Sequence, residues 1–328
     1  MSERPWALNL QGLLLADQGD YQKAQEKFEL VTQLYPDFAG AYSNWGGVLT
    51  RIGDREALKK LELAVRLAPD NDRFYYNWAT ALFLFQKFEA AAARYKVAIK
   101  LNPNNADAHA AMAATLLALH CPREASEEYL LAVRLNPSDP GLYNDWGIAL
   151  SMRDDHRGAL TRFDEAIFLD PNLSDAFLNS GNSLSALGLH KEAQDAYRRG
   201  LQSDPRNPEL YNRLGDALVA VGDYQSALPQ YQEGAAFGRP DSRADRNWAV
   251  ALARLGEYGQ AVAKIAEATR LDPGSADAFD SWGEILNLSG AHEAAVAMFN
   301  HASTIRSTPA ASLTLSMPRK CGELWKRN

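Results

Sequence analysis

Alanine recurs at Ala24, Ala57, Ala91, Ala125, Ala159, Ala193, Ala227, Ala261 and Ala295, an interval of 34 residues broken once by an interval of 33. Leucine keeps step at Leu15, Leu49, Leu82, Leu116, Leu150, Leu184, Leu218, Leu252 and Leu286. Between these markers the apolar positions have helical spacing. Leu142-Tyr143-Asn144-Asp145-Trp146-Gly147-Ile148-Ala149-Leu150 reads as one helix, and Arg153-Asp154-Asp155 as a polar turn. A second helix runs from about Arg157 to Leu169 and stops at Asp170-Pro171, because proline cannot continue a helix. The same stop stands at Pro36, Pro69, Pro103, Pro137, Pro205 and Pro273. A unit of this size cannot bury its apolar face alone, so a period filling most of the chain predicts an all-α solenoid of about nine stacked helix-turn-helix units.

The units are expected near 5–38, 39–71, 72–105, 106–139, 140–173, 174–207, 208–241, 242–275 and 276–309, with a flexible or capping tail at 310–328. Unit position 8 is always small, as Gly12, Gly46, Ala79, Ala113, Gly147, Gly181, Gly215, Ala249 and Gly283. Position 24 is always bulky: Phe28, Leu61, Tyr95, Tyr129, Phe163, Tyr197, Tyr231, Ile265 and Phe299. Glycine inside a helix costs up to about 1 kcal/mol relative to alanine, so keeping it six times implies close helix–helix contact. The large residue fills the space beside that contact.

This combination resembles the tetratricopeptide repeat (TPR) family over residues 5–309, through the small residue at position 8, alanine at 20, the aromatic at 24, alanine at 27 and proline at 32. The resemblance implies a right-handed superhelix whose first helices line a concave face. One exchange departs from the family pattern. Tryptophan sits at position 7 (Trp45, Trp78, Trp146, Trp248, Trp282), and tyrosine or phenylalanine at position 4 (Tyr42, Tyr75, Tyr143, Phe177, Tyr211, Phe279). Both positions are core in the family, so the tryptophans are expected to pack rather than to bind ligand.

In the family, positions 2, 5, 6, 9, 12 and 13 point into the concave face, which gives three zones here. Asparagines form the first, with Asn44, Asn77, Asn179 and Asn247 at position 6 and Asn9, Asn144 and Asn212 at position 5. An amide both donates and accepts, so it can pair with a peptide backbone without reading side chains. The superhelix of O-GlcNAc transferases carries a similar ladder, although their catalytic domain has no counterpart here. Leu10, Ala111, Asp145, Arg213 and Ser281 interrupt the ladder. The second zone is apolar: Tyr76, Thr80, Phe83, Leu84, Ala110, Ala111, Ala114 and Leu117. The alternative for Phe83 and Leu84 is burial against the next unit. Arg213, Arg243, Arg246 and Arg254 make the third zone, followed by Asp277, Asp280 and Glu284. These arginines suit a carboxylate or phosphate. Internal pairing, for instance of Arg246 with Asp280, is the favoured expectation. The family's chaperone-type carboxylate clamp is not matched.

A net charge of −7 argues against nucleic acid as a partner. Cys121 and Cys321 are too few for a disulfide framework. The chain shows no apolar signal core and no run long enough for membrane insertion, so a cytoplasmic location is the default expectation. There is no phosphate-cradling glycine loop, no Cys-x-x-Cys and no His-Glu-x-x-His. His156, His190 and His292 share position 17, which places them in separate layers about 10 Å apart, too far for one metal. No enzyme activity, cofactor or metal is expected.

Two units are irregular. The second is one residue short near Arg51-Ile52-Gly53-Asp54. The seventh has Pro229 inside its second helix, then Gly234 and Gly238, and its stop is displaced to Pro240. A bent, flexible joint is expected there. Leu313, Leu315, Met317, Leu324 and Trp325 would let the tail cover unit nine. The reading is a non-catalytic scaffold or adaptor that binds an extended segment of a protein or peptide partner. The alternatives are self-association through the terminal repeats or tail, and the substrate-recognition subunit of a separate enzyme.

Overall fold

The computed structural model describes residues 4–307, and the tail with Cys321 and Trp325 lies outside them. The described chain is helical and divides into two compact units between Ala149 and Leu150. The first contains α1 (Pro5–Asp17), α2 (Tyr21–Leu34), α3 (Ala39–Arg51), α4 (Ala57–Leu67), α5 (Asp72–Leu84), α6 (Phe88–Leu101), α7 (Ala106–Ala118) and α8 (Pro122–Leu135). The division falls inside α9 (Pro140–Ser151). The second contains α10 (His156–Leu169), α11 (Ser174–Ala186), α12 (His190–Ser203), α13 (Pro208–Ala220), α14 (Tyr224–Phe237), α15 (Ser242–Arg254), α16 (Tyr258–Leu271), α17 (Ala276–Leu288) and α18 (His292–Ser307). Odd-numbered helices are the first of each repeat and even-numbered helices the second.

Local chemistry sets the helix boundaries. Asn71, Asn105, Asn207, Asp241 and Ser275 cap first helices by accepting backbone N–H groups from the opening turn. Asp20, Asp155 and Asp223 do the same for second helices. Between the two helices of every repeat, position 15 is left-handed. Six glycines hold it, with φ between 75° and 86°, and Gln86, His120 and Asp154 hold it at 59°, 57° and 60°. Only glycine takes this conformation without cost.

In the first, second, sixth, seventh and ninth repeats the glycine at position 8 meets the large residue at position 24. A Cβ added to Gly12 would stand 2.6 Å from the Phe28 ring, and one added to Gly215 would stand 2.7 Å from the Tyr231 ring. The position 10 side chain then packs on positions 20 and 24 of the preceding repeat: Val48 lies with Ala24 and Phe28, and Ile285 with Ala261 and Ile265. The core is therefore a series of local clusters rather than one centre.

The irregular repeats differ locally from the others. The missing residue of the second repeat shortens α4 to 11 residues, where α2 has 14. Pro229 lies inside α14, which runs through it for 14 residues. Gly234 is required at its position because the Asn212 side-chain oxygen occupies the space a Cβ would take. Cys121 is buried, and Cys321 lies outside the described residues.

Candidate functional site

In the first compact unit, the asparagines at position 6 are half-buried on first helices and reach back to the repeat before them. Asn44 Nδ2 donates to Asn9 Oδ1 at 3.0 Å, and Asn77 Nδ2 donates to Ser43 Oγ at 3.0 Å. One N–H of each amide thus joins neighbouring repeats, and the bond fixes the amide plane. A second N–H and a carbonyl oxygen remain on each side chain. Asn144 departs from the expected groove position. It is buried, and its Nδ2 donates to Asp145 Oδ1 at 3.3 Å.

The apolar zone of this unit is only partly a surface. Tyr76, Phe83 and Leu117 are half-buried against the core cluster built around Leu82, Tyr95, Leu116 and Tyr129. Tyr76 packs edge-on to Tyr95 at 5.7 Å, and Phe83 packs edge-on to Phe88 at 5.4 Å. Burial pushes the Tyr95 hydroxyl up to about 12, although its hydrogen bond with Thr80 opposes the shift. Leu84 is the projecting member, 59 % exposed. Phe83 is therefore half-buried beside Phe88 of its own repeat, whereas Leu84 is exposed.

In the second unit, Asp216 is a hub. Its carboxylate accepts from Arg243 Nη1 at 2.5 Å, Asn247 Nδ2 at 2.7 Å and Tyr231 Oη at 2.9 Å. Burial, then the Asp216 charge, raise the Tyr231 hydroxyl far above its ordinary range. Glu209 accepts from Arg213 Nε at 2.7 Å and lies 3.5 Å from Arg243. Arg246 pairs with Asp277 at 3.8 Å rather than with the expected Asp280, which Arg306 holds instead. Arg213, Arg243 and Arg246 are thus engaged internally. Asn179 is half-buried on α11, whereas Asn212 is buried, also against expectation, because it leans on Gly234.

A recurring contact was not anticipated. Position 23 places a cation over the position 7 tryptophan: Lys60 over Trp45 at 3.6 Å, Arg94 over Trp78 at 4.1 Å and Lys264 over Trp248 at 3.8 Å. Such a pair is worth about 0.5–1 kcal/mol at exposed sites. It occupies one indole face in each case, which supports packing as the role of these residues. The signal was available as Lys or Arg sixteen residues after each of these tryptophans, or fifteen in the short repeat. Among the described residues, no three His, Cys, Asp or Glu side chains gather as a metal site. No described helix is long and apolar enough to cross a membrane.

Stacked helical hairpins with polar side chains along their first helices define a repeat protein of the interaction type. Models of the tetratricopeptide repeat match residues 144–208, 178–245 and 212–276, and also 5–38. A further TPR repeat model matches 80–119, and together the matches span more than half of the chain. The chain belongs to the tetratricopeptide repeat family, whose members mediate protein–protein interactions.

Among solved structures, a tetratricopeptide repeat protein from Parabacteroides merdae is 16 % identical, covering 76 % of this chain and 98 % of its own, with a TM-score of 0.59. Pseudomonas aeruginosa pilF is 22 % identical, covering 66 % and 96 %, with a TM-score of 0.57. YrrB, a TPR protein with an unusual peptide-binding site, is 28 % identical, covering 56 % and 95 %, with a TM-score of 0.47. The first two likenesses show the fold. No curated protein matches the chain.

Proposed function

We propose that the chain is a non-catalytic interaction scaffold that holds an extended partner segment against its first helices, principally α3, α5 and α7. The observation that carries this reading is the state of Asn44 and Asn77. Each amide is oriented by a bond to the preceding repeat, so its remaining donor and acceptor are preorganised at low entropic cost. They suit a peptide backbone, which alternates donors and acceptors. Leu84 supplies an exposed apolar contact on the same helix as Asn77. In the second unit, the engaged arginines favour a role in fixing helix faces over capture of a free anion.

The test is selection of binding peptides from a displayed library, followed by hydrogen exchange of the full chain with and without the selected peptide. Protection should fall on α3, α5 and α7. Replacing Asn44 and Asn77 together by Ala should weaken binding by roughly 1–3 kcal/mol, at about 0.5–1.5 kcal/mol per net hydrogen bond. Protection confined to second helices would reject this surface.

A further inference from the structure

The contact between successive repeats recurs within each compact unit and is left half-made at each end of the described residues. Position 10 is its knob. It is 3 % exposed or less in every repeat from Val48 to Ile285, yet Leu14 in the first repeat is 53 % exposed. Position 24 is its socket. It is 2 % exposed or less from Phe28 to Ile265, yet Phe299 in the last repeat is 38 % exposed. Position 21 also faces the following repeat: Ser126 accepts from Trp146 Nε1 at 2.8 Å, and Gln194 donates to the Ala217 carbonyl at 3.2 Å. Its last member, Val296, is 58 % exposed.

The side chains at these ends are not those of a capping repeat, which presents a polar outer face. Leucine at position 10 is larger than the alanine, serine or threonine found there in most interior repeats. Trp6 and Leu10 continue the same exposed stripe along α1, at i, i+4 and i+8 with Leu14. Interior repeats carry only small or polar residues at position 2, and mostly asparagine or charged residues at position 6.

We propose that copies of this chain associate head to tail, with Leu14 of one copy seated on Val296 and Phe299 of the next. The occupant is a second copy because one end displays the knob and the other the socket of a single interface whose geometry the interior repeats already realise. The contact is heterologous, so assembly continues beyond a dimer unless it closes into a ring. It involves surfaces outside the proposed groove on α3, α5 and α7 and stands or falls independently of it.

The experiment is sedimentation of the full-length protein across a concentration series, with Leu14→Lys and Val296→Lys variants checked for folding by circular dichroism. Both positions are exposed, so both variants should fold. The unmodified protein should grow in mean mass with concentration, and each variant alone should remain at the monomer mass. A mixture of the two should form a species of twice the monomer mass and stop there, because each variant retains one intact end. Three results would overturn the proposal: an unmodified protein that stays monomeric throughout, variants that associate like the unmodified protein, or Val296→Lys dimers alongside monomeric Leu14→Lys. The last pattern would assign the α1 stripe to a symmetric α1–α1 pair.

Discussion

Gln86→Gly should stabilise the protein locally. Gln86 closes the turn between α5 and α6 with φ of 59°, in a position that six other repeats give to glycine. Its backbone N–H donates to the Phe83 carbonyl and that of Lys87 to the Leu82 carbonyl, each at 2.8 Å, so glycine would lose neither bond. At the equivalent glycines 19, 53, 188, 222, 256 and 290, an added Cβ meets nothing within 4 Å. The side chain at this position is thus a matter of backbone conformation rather than packing. The left-handed region costs an L-residue about 1–2 kcal/mol. Glycine's greater freedom in the unfolded chain returns about 0.5–1 kcal/mol of that. The net gain expected is about 0.5–1 kcal/mol.

In a solenoid this gain should stay near the third repeat, because stability is a sum of repeat and interface terms. Hydrogen exchange across α5 and α6 should therefore slow by roughly two- to fivefold where exchange requires local opening. The reverse change, Gly188→Gln, should speed exchange in α11 and α12 by a similar factor. If Gln86→Gly is neutral or destabilising while Gly188→Gln is also neutral, the turn conformation does not carry the energy assigned to it.

Other consequences follow from single sites. His109 and Glu128 are buried, and the ring nitrogens face two acceptors, Glu128 Oε2 at 2.6 Å and the Pro103 carbonyl at 3.0 Å. Only the imidazolium form donates to both, and the Glu128 hydrogen bond accordingly raises the His109 pKa against the opposing effect of burial. Its contribution should be complete below the unfolded pKa of about 6.5 and lost as pH rises through the folded value. Thermal unfolding from mildly acid to alkaline pH should thus show a loss that His109→Gln lacks, and equal losses would remove the pair from the account. Gly234→Ala should destabilise α14 by driving a methyl into the Asn212 side chain, and Asn212→Ala in the same chain should recover most of the loss; denaturant midpoints of the two single variants and the double variant decide it, additivity being the refuting result. Residues 229–242 border a cavity of about 150 Å³ lined by Asn212, Gly234, Ala244 and Trp248. They should exchange faster than α11 and α12, and equal protection would mean that the seventh repeat is no weaker than its neighbours.

The fold was legible because its markers repeat. Alanine at position 20 and the small–large pair at positions 8 and 24 are read nine times over, so each occurrence supports the others. Charge pairing was less legible. Arg246 and Asp280 sit at positions 5 and 5 of adjacent repeats, but the arginine reaches Asp277, at position 2, while Arg306 pairs with both Asp277 and Asp280. Arg306 lies 26 residues beyond Asp280 on a second helix, and no repeat pattern flags it. Asn212 shows the same limit from the other side. Its family position points into the groove, yet Gly234 in the facing helix opens a recess that the amide fills. A family pattern gives the average direction of a side chain and cannot show which neighbour has left room for it.

The ladder asparagines reveal what a repeat interface does to a surface position. Asn44, Asn77 and Asn247 each donate one N–H to the preceding repeat, to Asn9, Ser43 and Asp216 in turn. With asparagine or serine as acceptor the bond is neutral. With Asp216 as acceptor the carboxylate also draws Arg243, and the local surface becomes a closed charge network. An incoming anion there would compete with Asp216 and Glu209 for the same guanidinium groups, whereas an incoming peptide at Asn44 and Asn77 would displace no charge pair. The same asparagine position therefore leaves an adaptable surface in one compact unit and a committed one in the other, and the difference lies in the residue that the amide finds one repeat earlier.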